Sequence, residues 1–128
     1  MATKSAPSQR MLRTGELIRH ALAEMILRGE AGDPELDKLV PTIAEVQVSP
    51  DLKIATAFVR SLLVGKEQLA LEALNRNRKF MRGLLAKKMA MKYVPEIRFR
   101  IDTSLDYAGK IDEILKSPLV KRDIESQD

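Results

Sequence analysis

Apolar side chains recur along much of this chain with the period of an α-helix. In residues 10–28 they follow spacings of four, three and one and form a single stripe made of Ile18, Leu22, Met25 and Ile26. Glycine and proline between residues 29 and 34 then end the predicted helix. The same period predicts helices over residues 66–76 and 80–91, with a bend in the polar segment 75–79. The inner side of the last helix is predicted to be Phe80, Met81, Leu84, Leu85 and Met91.

Other segments alternate with the two-residue period of a β-strand. Residues 43–48 are predicted to form a strand that points one set of side chains to one face and the rest to the other, namely Ala44, Val46 and Val48 against Ile43, Glu45 and Gln47. Pro41 cannot donate to a strand ladder, so it marks the start of this strand or an edge position. The turn sequence SPD at 49–51 joins it to a second strand over residues 53–63, which Gly65 ends, and the two predict a hairpin. Residues 96–102 predict a third strand.

The predicted order is α-β-β-α-α-β, which defines the fold class as α+β. Two helices lie between the second and third strands, so we expect a three-stranded sheet with the helices packed on one face. The opposite face is then polar and carries Glu45, Gln47, Arg60, Arg98 and Arg100. Residues 106–115 predict a further short helix. We expect one domain over residues 10–115, flanked by tails at 1–9 and 116–128.

Composition narrows the classes of protein that this fold can serve. Hydrophobic residues make up 45% of the 128 positions, which is enough for a packed core. There is no cysteine, so disulfides and thiolate chemistry are excluded, and a reducing, cytoplasmic location is expected. No apolar run approaches the roughly 20 residues of a membrane span, and no membrane partner is expected. Aromatic residues are only 4%, which gives little material for stacking on bases.

The positive charge of the chain is concentrated in one window, residues 76–92. It holds seven basic residues and no acid, whereas the rest of the chain has 15 basic and 18 acidic residues, a net −3. Most of this window lies on one predicted helix, where Arg78 and Arg82 are one turn apart and Lys79 is adjacent. A local cluster of this kind is typical of phosphate-backbone binding, although a solvated helix face is the commoner cause of a charge run.

Residues for catalysis are scarce. The chain has one histidine, and it lacks phosphate-binding loops, nucleophile elbows and dinucleotide fingerprints. We therefore expect no catalytic residue, no metal site, no cofactor and no small-molecule substrate. A small nuclease that uses Asp33 or Glu35 is the remote alternative. A module whose basic helices dock on an acidic protein is the closer one.

Several segments, in order and at compatible spacing, resemble the ribosome-binding factor A family, whose fold is a type II KH-like domain. They are VSPDL at 48–52, ALN at 73–75, FMR at 80–82, YVPEIRF at 93–99, DTS at 102–104 and IDEIL at 111–115, with DP at 33–34 after the first helix. The resemblance covers residues 10–115. It implies a monomeric, non-enzymatic factor that binds the immature small (30S) ribosomal subunit and its 16S rRNA. It also implies a role in late maturation, including 5′-end processing of that RNA, with most importance in the cold.

Combined with the basic window, the resemblance predicts RNA contact at Arg76, Asn77, Arg78, Lys79, Arg82 and Lys87. The chain departs from the family pattern in two places. The family commonly has an Ala-x-Gly kink between the central helices, where this chain has NRK at 77–79, so the bend must come from Asn77 or be shallower. The approach to the first strand, LVP at 39–41, is also longer than usual.

Overall fold

Helix α1 (Gln9–Leu27) packs across the sheet through the predicted apolar stripe. The computed structural model describes residues 6–91 and 93–103. Ser8 caps the helix, and its Oγ accepts a hydrogen bond from the Met11 backbone N–H at 3.1 Å. Ile18, Leu22 and Met25 are buried. The helix therefore forms where its pattern predicts, within one residue at each end.

The connection after α1 contains a helix that the turn residues did not predict, α2 (Pro34–Lys38). Proline is favourable at the first helical position because the N–H that it lacks would have no partner there. Asp33 is favourable as the N-cap because its side chain accepts hydrogen bonds from backbone N–H groups of the first turn. Leu36 is buried and anchors this short helix to the core.

Strands β1 (Pro41–Val48) and β2 (Ile54–Ser61) form the predicted antiparallel hairpin. Ser49 and Asp51 shape the turn between them. The Asp51 carboxylate accepts hydrogen bonds from Ser49 Oγ at 2.6 Å and from the Lys53 backbone N–H at 3.0 Å. Pro41 stands at the first position of β1, as expected for a residue that cannot donate.

The predicted facing of β1 is wrong at its first half because the strand contains a bulge. The pairing with β2 shifts between Ile43 and Glu45, and Ala44 is the extra residue. Ile43 is therefore buried on the same side as Val46 and Val48, while Ala44 is exposed. One inserted residue reverses the alternation on one side of it, which a strict two-residue period cannot anticipate.

Strand β3 (Glu96–Ile101) lies parallel to β2 and completes the order β1-β2-β3. Side chains from the three strands meet in rows on the helix-covered face, such as Val46, Ala57 and Phe99. The small alanines of β2 leave room for larger neighbours on both sides, and Phe99 is fully buried. The predicted α+β architecture, with a three-stranded sheet and helices on one face, is confirmed for the described part of the chain.

Helices α3 (Glu67–Arg76) and α4 (Arg78–Met89) meet at Asn77, within the predicted bend. Asn77 has φ −100° and ψ 7°, so the bend does not use the left-handed conformation that asparagine tolerates. Phe80 was assigned to the inner side of α4 but is 55% exposed, whereas Met81 and Leu85 are buried. Only a narrow stripe of α4 side chains is buried in the core.

Three predictions fall outside the described residues: the helix over 106–115, the tail over 116–128 and the first part of the tail over 1–9. The sequence-based domain bounds of 10–115 therefore stay a prediction.

Two glycines in helices provide a matched test of this packing. A Cβ on Gly15 would lie 2.6 Å from the Val46 carbonyl oxygen, whereas one on Gly83 would meet nothing within 4 Å. We expect Gly15→Ala to destabilise the protein by about 1–3 kcal/mol through overpacking. Gly83→Ala should stabilise it by about 0.5–1 kcal/mol through helix propensity. Urea unfolding measures both, and equal stability of the two variants would contradict the close contact of α1 with β1.

Candidate nucleic-acid interface

Asp33 lies at the junction of α2, α3 and α4. Its Oδ1 accepts hydrogen bonds from the backbone N–H groups of Glu35 at 3.1 Å and Leu36 at 3.3 Å, which caps α2. Its Oδ2 accepts hydrogen bonds from Arg76 Nη2 at 2.7 Å and from Asn77 Nδ2 at 2.8 Å. One carboxylate therefore holds the residue between α3 and α4 against α2.

These contacts set the protonation behaviour of Asp33. The hydrogen bond from Asn77, followed by that from Arg76, lowers the pKa of Asp33 to about 2. The same pairing raises the pKa of the Arg76 guanidinium. Since only 16% of the Asp33 side chain is exposed, water competes weakly for these partners. Asp33 is thus an anion over the whole physiological pH range.

The pKa of Asp33 predicts how stability depends on pH. Because the folded-state pKa of about 2 lies below the ordinary value of 3.8, this carboxylate stabilises the fold above about pH 4. That contribution is lost as the pH falls from about 4 towards 2. Thermal unfolding of wild type and Asp33→Asn between pH 5 and 2 should show curves that converge in acid. Parallel curves would mean that the charge of Asp33 contributes nothing to folding.

Folding gives several cations of the basic window a partner from outside it. Arg76 pairs with Asp33, and Lys88 Nζ lies 3.0 Å from Glu30 Oε1. Arg82 Nη2 donates a hydrogen bond to the Val94 carbonyl oxygen at 2.8 Å. Lys92 lies outside the described residues. The acids come from the connection after α1, which is distant in sequence and absent from the window itself.

Four cations of the window, Arg78, Lys79, Arg82 and Lys87, have no ion pair within residues 6–91 and 93–103. Successive helix residues are rotated by about 100°, so Arg78, Lys79 and Arg82 fall within about 100° of one another on the first turns of α4. Lys87, nine residues after Arg78, lies about half a turn away. The first turn of α4 carries no acid, so the positive end of its dipole adds to this surface. We call Arg78, Lys79 and Arg82 the basic face.

The predicted site residues therefore divide into groups. Arg78, Lys79 and Arg82 form the basic face, on which Lys79 and Arg82 are exposed and Arg78 is half-buried. Arg76 and Asn77 are engaged by Asp33 beside it, and Lys87 is exposed on another side of α4.

Phe80 is a candidate contact that the sequence pattern missed. Its ring is 55% exposed on α4, about half a turn from Arg78 and on the side that carries Lys87. An exposed aromatic ring suits base stacking. The sequence places it next to Met81 within the apolar spacing of α4, which predicts burial. The only feature of the sequence that indicates exposure of Phe80 is the charged residue directly before it, Lys79.

Neither the requirements of a metal site nor those of a membrane-spanning helix are met within the described residues. Among them, no group of three histidine, cysteine or acidic side chains could hold a metal ion. Nor is any helix of residues 6–91 and 93–103 long and apolar enough to span a bilayer.

The fold and the basic face define a small KH-like α+β domain, in which α3 and α4 meet at a kink and pack on a three-stranded sheet. A family model described as Ribosome-binding factor A matches residues 10–115. The chain is 54% identical over 125 residues to Ribosome-binding factor A of Rhizobium etli CFN 42, covering 97% of this chain and 92% of the relative. It is also 54% identical over 124 residues to the Agrobacterium fabrum C58 protein, covering 96% and 90% respectively. The chain belongs to the ribosome-binding factor A family.

Solved structures agree with this assignment. The crystal structure of ribosome-binding factor A from Thermus thermophilus aligns at 26% identity and TM-score 0.59, over 71% of this chain and 94% of that one. The solution structure of a Thermotoga maritima protein described as a putative ribosome binding factor A aligns at 32% identity and TM-score 0.64, over 77% and 92%. A Thermus thermophilus homology model, fitted into a cryo-EM map of a 30S–RbfA complex, aligns at 28% identity and TM-score 0.57, over 70% and 91%.

Proposed function

We propose that this chain binds the small (30S) ribosomal subunit and contacts its 16S rRNA through the basic face. The observation that carries the proposal is the set of cations left without an ion-pair partner on the first turns of α4, in a chain of this family. The Thermus thermophilus relative fitted into the map of a 30S complex supports the choice of subunit. Arginine and lysine bind phosphate oxygens by charge and hydrogen bonding, which suits a folded RNA surface.

Within this proposal the predicted residues have different tasks. Arg78, Lys79 and Arg82 contact phosphates directly. Arg76 and Asn77 hold the kink through Asp33 and so aim the first turn of α4 at the RNA. Phe80 and Lys87 lie on another side of α4 and meet RNA only if the RNA wraps round the helix, where Phe80 would stack on an unpaired base.

The biological step we infer is late maturation of the 30S subunit, including processing of the 16S rRNA 5′ end, and it matters most in the cold. The protein acts as a cytoplasmic monomer that holds a maturing RNA region in place and then leaves. It requires no cofactor and no small-molecule substrate, because the protein acts by binding the subunit and catalyses no reaction.

Sedimentation with free 30S subunits, free 50S subunits and 70S ribosomes over a salt series tests this function. We expect comigration with free 30S subunits alone. If about five phosphates of single-stranded RNA are contacted, the log–log slope of affinity against salt should be near −3.5. A shallow slope, or equal binding to every ribosomal particle, would contradict the proposal and favour a protein partner.

A further inference from the structure

A second positively charged surface lies between the hairpin turn and the entry to β3. It is a half-open groove of about 780 Å³, which falls in the usual size range of small-ligand sites. Its walls come from the start of α1, the hairpin turn, α4 and the segment before β3. They include Arg10, Lys53, Arg82, Tyr93, Val94 and Pro95.

The charge of this groove is unbalanced. Arg10, Lys53 and Arg82 supply three cations from three different elements, against the single carboxylate of Asp51. That carboxylate already accepts hydrogen bonds from Ser49 Oγ and from the Lys53 backbone N–H, which lower the pKa of Asp51. Asp51 therefore stays ionised and offsets one of the three positive charges, that of the neighbouring Lys53 most directly. The groove keeps a net charge of +2 (three cations against one carboxylate), which favours an anionic ligand.

An aromatic ring stands beside these cations. Tyr93 is 78% exposed, in a chain that has only three phenylalanines and two tyrosines. Its exposed ring presents an apolar face beside the cations. Cations spaced around an aromatic face are the pattern by which proteins hold single-stranded nucleic acid, with phosphates on the cations and a base on the ring.

We propose that this groove binds one or two nucleotides of single-stranded RNA. A base stacks on Tyr93, and the flanking phosphates contact Lys53 and Arg10, with Arg82 shared between the groove and the basic face. Single-stranded RNA is required because a base inside a duplex cannot offer its face to the ring. The inference rests on the proposed function and adds a second contact to it.

Anisotropy of a labelled 12-nucleotide oligouridine tests the groove directly. Tyr93→Ala should lower affinity about tenfold, whereas Tyr93→Phe, which keeps the ring, should stay within about twofold of wild type. Lys53→Glu should also lower affinity about tenfold, through a lost phosphate contact and added repulsion. Lys66→Glu is the matched control, since it makes the same charge change beyond the opposite end of β2. Circular dichroism checks that each variant folds.

The outcomes separate the groove from the proposed function. If the groove variants match wild type on oligouridine while wild type still comigrates with 30S subunits, the groove inference is overturned and the function stands. If wild type binds neither RNA nor subunits, both are overturned. If a labelled oligoglutamate binds as tightly as RNA and Tyr93→Ala has no effect on either, the groove is an acidic-peptide site and the RNA inference is wrong.

Discussion

Replacing Arg78 and Arg82 together by glutamate is expected to lower affinity for 30S subunits by about 100-fold or more. Each arginine would lose a charge-assisted hydrogen bond worth about 1.5–3 kcal/mol, and each new carboxylate would repel the phosphate that it faces. Arg82 is exposed and Arg78 half-buried, so the main loss of stability is the hydrogen bond from Arg82 to the Val94 carbonyl oxygen, about 0.5–1.5 kcal/mol. Sedimentation at fixed salt measures the binding, and thermal unfolding measures the stability.

A charge-matched control separates local contact from overall charge. Lys66→Glu with Arg100→Glu makes the same change in net charge, but Lys66 precedes α3 and Arg100 lies on the sheet face that the helices leave open. We expect this control to bind 30S subunits within about threefold of wild type. Equal losses in the two double variants would mean that only the long-range field matters. Unfolding of the Arg78 and Arg82 variant would instead reveal a structural role.

Removing the Asp33 carboxylate is expected to affect folding and binding together. Asp33→Ala loses the cap of α2 and the contacts to Arg76 and Asn77, so the unfolding midpoint should fall by about 5–10 °C. The kink would also lose its attachment to α2, which weakens 30S binding although Asp33 itself carries the wrong charge to meet RNA. Calorimetry and sedimentation of the same preparation measure the two effects.

Asp33→Asn sharpens the interpretation. Asparagine caps helices about as well as aspartate, so this variant keeps the start of α2. It removes the charge and also the second oxygen, which accepts hydrogen bonds from Arg76 and Asn77. We expect stability and 30S affinity between those of wild type and Asp33→Ala. An increase in affinity for Asp33→Ala would show that Asp33 acts mainly by neutralising Arg76, which would then belong to the contact surface.

Local sequence was sufficient for most of the fold. The apolar stripe of α1, the SPD turn and the alternation of β3 each depend on residues near one another in the chain, so their periods predict the elements directly. The bulge at Ala44 and the exposure of Phe80 were missed because they depend on what lies opposite. A strand bulges to fit its partner, and a helix buries only the stripe that the sheet accepts.

The candidate site shows the same division. The excess of positive charge, its position on the helix after the bend and the absence of acids around it are properties of the sequence alone. Which cations keep that charge available was decided by tertiary structure. The carboxylate that engages Arg76 lies 43 residues earlier, and Glu30 reaches Lys88 from the same connection. Because Coulomb interactions depend on distance in space, only the folded chain could distinguish the basic face from Arg76 and Lys88, whose charges are paired.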